Sequence, residues 1–566
     1  MEYLLAFGAI ALFLAGLVLA EAVRARRQRR EFIDKIRNDY LTLNDKKYSP
    51  DRFERLKSYY DRHRDGILTD EITWNDLGMD ELFKRMNYTL SASGEEYLYY
   101  LLHDLKQDRG ELERYEQLIQ SLGADTELRT SLQFRFSQLG YTGKYSLYDY
   151  IENLDYLENT PATKLYLMNL LFLPLAAIGF FNFSLSVILL VAFVIYKIVT
   201  YFRYKGEIDP YITSFAYIIR LLVLCEDIEK DLAQHELPAA EEVLARIHRN
   251  RKALDGMRRN SFWIMSGTRG NASDIVSVLC DYLRMIFHLD IIKFFSMLKT
   301  VRAHLQELDG LITDTGYLES VLSVWIFRQS LEHGWCVPRF EDNAGISVTE
   351  GYHPLLTKPV NNSISAERGV LLTGSNASGK STFLKMVAIN AILAQSINTC
   401  AAKDYRGEFF RVYSSMALRD DISGGDSYYI VEIKALKRIL DAASEEGCRV
   451  LCFVDEVLRG TNTIERIAAS AQILRSLGEN VLCFAATHDI ELTSLLDDKF
   501  DNYHFEEEIN EGDIHFNYRL KNGKATTRNA IKLLELMGYS REIIEEASAM
   551  AETFLRTGAW NQPVGT

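Results

Sequence analysis

A chain of 566 residues is long enough to hold more than one domain. Its formal net charge of −14 excludes bulk electrostatic attraction of nucleic acid, so any DNA contact has to rely on a local basic surface. The seven cysteines form no C-x-x-C pair. Cys452 and Cys483 sit in apolar runs, where a thiol behaves as a small buried hydrophobe, and this fits a reducing, cytosolic setting for most of the chain.

Residues 3–20, YLLAFGAIALFLAGLVLA, carry no charge and are about long enough to cross a bilayer as a helix. Arg24, Arg26, Arg27, Arg29 and Arg30 follow directly, whereas a cleaved signal peptide carries its positive charge ahead of the apolar run, where this chain has Glu2. The alternative is cleavage at AEA, residues 20–22. The arginines favour an anchor over 1–23 with its amino terminus outside and the rest cytoplasmic.

Residues 24–160 read as a cytoplasmic helical region with dense charge, as in RGELERYEQLIQSL. A second apolar block, Leu165 to Tyr196, has no charge and is too long for one helix across a hydrocarbon core of ~30 Å. Two short spans turning near Asn182 fit it, within a hairpin over 161–205. Lys164 before the block and Lys197, Arg203 and Lys205 after it put both ends on the positive, cytoplasmic side. A buried hairpin in a soluble core and a hairpin that dips into the membrane are the alternatives.

Helical texture resumes over 206–340, as in VRAHLQELDGLI. The basic stretch HRNRKALDGMRR, 248–259, reads as a solvated helix face before it reads as a DNA site. Over 341–550 strands alternate with helices (GVLLTG, VLCFVDE, VLCFAATHD), the rhythm of a parallel sheet with helices on both faces. Residues 551–566 read as a loose tail.

Within the last region, Gly374, Gly379, Lys380 and Ser381 satisfy G-x-x-x-x-G-K-[ST] between a strand and a helix. Glycines let the backbone curl so that successive N–H groups face a polyphosphate, and the helix aims its positive dipole end at the same anion. Lys380 reaches the β- and γ-phosphates of ATP and the Ser381 hydroxyl ligates Mg2+. Downstream, Val450 to Val454 form an apolar strand ending in Asp455 and Glu456. Asp455 is placed to hold magnesium through water, and Glu456 to orient or deprotonate the attacking water. One strand later His488 arrives at the same edge, able to contact the γ-phosphate. Ser423, Gly424 and Gly425 introduce a further helix, an anion-binding end that completes the site of a second subunit.

These pieces, together with EGYHPLL, SGGDSYYIVE, DEVLRGTNT and RNAIKLLELMGYSREIIEEA, resemble in order and spacing the ATPase domain of the MutS family of DNA mismatch-recognition proteins. The resemblance implies that Asn376, Ser378 and Thr382 belong to the phosphate loop and that Ser423 reaches the partner's nucleotide. It implies that 459–463 line a dimer interface and that the ATPase domain over 341–550 includes a carboxy-terminal helix-turn-helix. Val360 and Tyr518 fall where the family places adenine-sandwiching aromatic side chains; Val360 departs from that pattern. More weakly, 81–122 is similar to the start of the family's helical core, and 307–340 to the helix leading into its ATPase. The Phe-x-Glu wedge and a full DNA clamp are not recognisable.

The expected fold class is therefore an α/β P-loop ATPase domain preceded by an all-α core, with transmembrane helices. The expected function is that of a membrane-anchored, MutS-like ATPase with composite sites in a homodimer. It would sit as a multi-pass protein in a bacterial-type inner membrane with the ATPase in the cytoplasm. DNA binding without mismatch specificity is one output. An ATP-driven mechanical or scaffold role on the membrane or a membrane protein partner, without DNA, is the alternative.

Overall fold

The computed structural model describes residues 16, 20, 22–24, 26–44, 46–142, 146–152, 162–235, 237–258, 263–264, 275–375, 378–416, 428–458, 461–477, 480–510, 513–525, 531, 534, 537–558 and 560. It gives backbone alone at 275–280, 507–510, 513–515 and 555. The apolar run assigned as an anchor over 1–23 lies almost entirely outside this set. The chain divides into two compact units, one of residues 1–64, 85–101 and 113–330, the other of 65–84, 102–112 and 331–566.

The first unit is helical. α1 (Thr126–Leu139) starts at Asp125, whose carboxylate accepts from the Glu127 and Leu128 N–H groups and satisfies two donors that a helix start leaves open. α2 (Phe183–Ala233), α3 (Pro238–Leu254), α4 (Leu289–Ala303) and α5 (Leu305–Gln329) follow. α5 is buried nearly all round from Leu311 to Arg328, with Leu311, Leu318, Val321, Val324 and Phe327 among its buried apolar side chains, so it forms the axis of this core. Near its end the buried Arg328 makes two parallel bonds to Glu116, at 2.9 and 2.6 Å. Arg328→Ala strands that carboxylate away from water without its cation. It should cost about 3–5 kcal/mol in chemical denaturation, while Arg328→Met with Glu116→Leu should recover most of the loss. An Arg328→Ala midpoint equal to that of the unaltered chain would remove the pair from the account of stability.

Two helical stretches of this unit, Ala162–Phe180 and Phe183–Ala233, are long and apolar enough to cross a membrane. The turn between them comes where the sequence puts it, because Asn182 caps α2 by accepting from the Leu185 N–H at 3.0 Å. The second leg does not end at the expected boundary of 205. α2 runs unbroken for 51 residues, with Pro210 inside it. Its two halves differ in surroundings. From Ile208 onward the inward positions are buried, whereas Phe183, Ile188, Val191 and Val199 are each more than half exposed. At the hairpin's base polar groups tie the legs to the core. Lys197 Nζ donates to Asn169 Oδ1, Asn169 Nδ2 donates to the Phe287 carbonyl, both at 2.7 Å, and Tyr201 donates to Asp290 at 2.9 Å.

The second unit holds two sheets. In the larger, the strand order is β10 (Asp513–Asn522), β9 (Phe500–Asn510), β4 (Gly369–Thr373), β8 (Val481–Ala486), β7 (Arg449–Asp455) and β6 (Phe410–Ser415). All neighbours are parallel except β10 with β9. Side chains alternate across this sheet. Val450, Cys452, Val454, Cys483 and Ala485 meet α7 (Tyr428–Ser444) and α8 (Thr463–Ser476), while α6 (Lys380–Ile397) lies against β6, β7 and β8. The smaller sheet, β1 (Arg339–Phe340), β5 (Asp404–Gly407), β2 (Ile346–Gly351) and β3 (Asn362–Ala366), is mixed and was not anticipated.

The unit boundaries differ from those read in the sequence, for identifiable reasons. Residues 65–84 join the ATPase unit because Asp76 accepts from Ser414 Oγ and the Met416 N–H at 2.7 and 2.9 Å, and Arg438 bonds Asp70 at 2.8 Å. The unit begins at Leu331, ahead of 341, and Cys336 and Cys400 exchange both backbone bonds at 3.0 and 2.9 Å. At the other end α9 (Arg541–Thr557) continues well into the stretch read as a loose tail from 551. It stops only at Gly558, whose φ of +71° ends it in the left-handed region, and Trp560 stacks on Phe554 at 4.3 Å.

Candidate functional site

β4, β8 and β7 are adjacent, so the loops at their carboxyl ends open on one edge, where parallel sheets bind ligands. β4 is buried throughout and leads into the glycine loop expected to bind phosphate. Gly374 and Gly379 there have φ of +148° and +104°, a region that side chains with a Cβ rarely enter. At Gly379 a Cβ would also stand 3.1 Å from the Tyr518 ring, so the glycine serves both the turn and the approach of that aromatic side chain.

Lys380, the first residue of α6, is 5% exposed. Its ammonium donates to the Gly374 and Ser375 carbonyls at 2.8 and 2.9 Å, which holds the charge at the mouth of the loop. Ser381 Oγ donates to Asp455 Oδ2 at 2.5 Å, bringing a hydroxyl from the first turn of α6 and a carboxylate from β7 to one point. These are the hard oxygen donors that suit a magnesium ion. Ser378 Oγ is buried and has no hydrogen-bond partner among the described residues. Thr382 lines the same cleft.

Glu456 is held in a left-handed backbone conformation (φ +59°) by its N–H bond to the Ala486 carbonyl at 2.9 Å. His488, beyond the end of β8, places Nε2 at 2.9 Å from Glu456 Oε1 and 3.4 Å from Lys380 Nζ. With Nε2 protonated, the imidazole donates to the carboxylate. Residues from two of the strand ends, Lys380 and Ser381 after β4 and Asp455 and Glu456 at β7, line one cleft of about 530 Å³, and His488 reaches it through its contacts with Glu456 and Lys380.

Val360 and Tyr518, 36% and 44% exposed, line the same cleft. His353 also lines it, and burial together with the Lys385 charge pushes its imidazole down to about 4, so it is neutral at pH 7. Asn376, Ser423, Gly424, Gly425 and the first two residues of 459–463 lie outside the described residues. The remainder of that stretch starts α8, with Asn462 accepting from the Glu465 N–H at 3.0 Å. The helix-turn-helix is described at its last helix, α9.

Three groups that support the site went unread. Glu432, buried on α7, accepts from the Leu458 N–H and so fastens the start of that helix to the turn after Glu456. Arg466 and Asp489 form a two-bonded pair at 2.9 and 2.6 Å that ties α8 to the residue after His488. Asn362 bonds the backbone around Tyr518. Glu432 had a signal, an isolated acid on an otherwise apolar helix face. The other two depend on contacts between segments distant in the sequence, which no spacing announces.

Residues 370–555 match the family model described as MutS domain V. Over 228 residues the chain is 31% identical to the DNA mismatch repair protein MutS of Thermus thermophilus, an alignment covering 39% of this chain and 27% of that protein. The protein of the same name from Thermus caldophilus gives the same figures. That of Thermus aquaticus is 30% identical over 229 residues, 39% of this chain and 28% of the relative. The chain thus spans little more than a quarter of the length of the curated relatives it matches.

Proposed function

We propose that this chain, which belongs to the MutS family through its domain V, is a membrane-anchored ATPase that binds and hydrolyses ATP at composite sites in a homodimer. The observation that carries the reading is the meeting of Lys380, the Ser381–Asp455 pair and the Glu456–His488 pair at three neighbouring strand ends. The loop's N–H groups and the start of α6 bind the phosphates, and Lys380 supplies a cation beside them. Ser381 and Asp455 would hold Mg2+, which when bound neutralises developing charge on the phosphates. Glu456 takes the proton of the attacking water, and His488 orients its carboxylate. Ser423, with Gly424 and Gly425, completes the partner's site in trans, while Val360 and Tyr518 flank the adenine.

The exposed apolar surface of the hairpin supports insertion into a membrane, with the ATPase on the cytoplasmic side. Two outputs follow from the same motor. In the first, the helical core holds DNA near the membrane through phosphate contacts, without mismatch specificity. In the second, ATP-driven motion acts on the membrane or a membrane protein partner. The unbroken α2, which joins the hairpin to the helical core, favours the second.

The two outputs separate on ATP hydrolysis by purified full-length protein, measured with matched duplex, mismatched duplex and liposomes. Stimulation by both duplexes within about threefold of each other, lost steeply as salt rises, is the result expected of the first. A response to liposomes and none to DNA is the result expected of the second. Tenfold preference for a mismatch at physiological salt would overturn both. Absence of ATP binding would overturn the ATPase reading itself.

A further inference from the structure

The cleft has two walls beyond the phosphate loop, and a single side chain touches both. Asn362, the first residue of β3, donates through Nδ2 to the Tyr518 carbonyl at 2.9 Å and to the Val360 carbonyl at 3.3 Å. Its Oδ1 accepts from the Leu520 N–H at 2.8 Å. One amide therefore spans from the backbone of one wall to the backbone that follows the other wall's ring.

The tyrosine needs such support. β10 slips register against β9 between Phe516 and Leu520, so the ladder bonds that would fix the strand are interrupted there. Tyr518 sits in that gap with φ of +53°, a region that costs a bulky residue of order 1 kcal/mol and persists only where surroundings hold it. The two bonds from Asn362 fasten the backbone on its carboxyl side, one at its own carbonyl and one at the N–H two residues on. Held this way, the ring lies beside Gly379, at the end of the phosphate loop. Without the amide, residues 516–520 would be free to relax toward an ordinary strand. Because side chains alternate along a strand, that relaxation moves the ring away from its present face.

We infer that Asn362 is a positioning residue that sets the base slot, fixing Tyr518 at one distance from Val360 so that the nucleobase of a nucleoside triphosphate is gripped between them. The inference rests on the ATP-binding reading of this cleft and adds a division of labour to it. The loop end recognises the triphosphate and the Asn362–Tyr518 end recognises the base. The two ends can therefore be weakened separately.

The test compares two probes on the full-length chain, ATP and inorganic tripolyphosphate, which carries the phosphates without a base. Asn362→Ala should raise the KM for ATP about tenfold and leave kcat within twofold. Its affinity for tripolyphosphate, measured by competition, should be unchanged. Asn362→Asp keeps the acceptor for Leu520 and loses both donors, so it should fall between Ala and Asn. In the Asn362→Ala background, Tyr518→Ala should add less than twofold, since the asparagine acts through the ring. Equal weakening of ATP and tripolyphosphate would overturn the proposal in favour of a general loss of fold. So would an unchanged KM, or full additivity of the two substitutions. A wild-type chain that binds tripolyphosphate and ATP equally would sink the base slot while leaving the phosphate site standing. Failure of wild type to bind either probe would instead remove the ATPase reading beneath it.

Discussion

A Glu456→Gln chain should bind ATP and hydrolyse it at least about a hundredfold more slowly, accumulating a nucleotide-loaded dimer, as read by phosphate release and by retained nucleotide on gel filtration. Size and shape are conserved, and the backbone that positions the side chain, fixed by the N–H bond to Ala486, is untouched. The amide oxygen can still accept from His488 Nε2–H across the present 2.9 Å contact, with the imidazole in the same tautomer. What is lost is basicity alone, so binding and hydrolysis should part company. Turnover at the wild-type rate would mean that another group takes the proton, and His488 would be the first to test.

Lys380→Ala should fail one step earlier. The ammonium is nearly enclosed and bonded to two carbonyls of the loop, so it both shapes the loop and offers the charge for the phosphates. A hydrogen bond to a charged group contributes about 1.5–3 kcal/mol, which sets the expected loss at roughly 10- to 150-fold in ATP affinity, with no measurable turnover. Isothermal titration with ATP measures the first and phosphate release the second. Lys380→Met, which keeps most of the stem, should be equally inactive. Normal hydrolysis in either variant would dismiss the loop as the phosphate site.

The parts of the site legible in the sequence are those governed by short-range rules. A strand, a glycine loop and a helix in immediate succession predict Lys380 and Ser381, and an apolar run ending in two acids predicts Asp455 and Glu456. Their meeting also follows, since strands of a parallel sheet present the same end on one edge. The hairpin turn was legible for the same reason, because Asn182 is a capping residue between two apolar runs. Long-range contacts were not. Nothing near Asp76 or Asp70 shows that they bind Ser414 and Arg438, so the membership of 65–84 in the ATPase unit was hidden. Periodicity gave no hint that a helix starting at Phe183 would pass Pro210 and end only at Ala233, because a proline ordinarily reads as a stop. The smaller mixed sheet was missed because its strands are short and β5 comes from beyond α6.

The 51-residue α2 transmits phase as well as position. Each residue of a helix turns the next by about 100° and advances it about 1.5 Å, so the azimuth of the bare apolar face at one end is locked to the azimuth of the buried face at the other. A single residue inserted between Arg203 and Ile208 would leave both faces intact in composition and rotate one against the other by more than a quarter turn. Seven residues would nearly restore the alignment, with a mismatch of about 20°. The length of this stretch is thus constrained modulo the helical repeat, in a way that none of its individual side chains reveals.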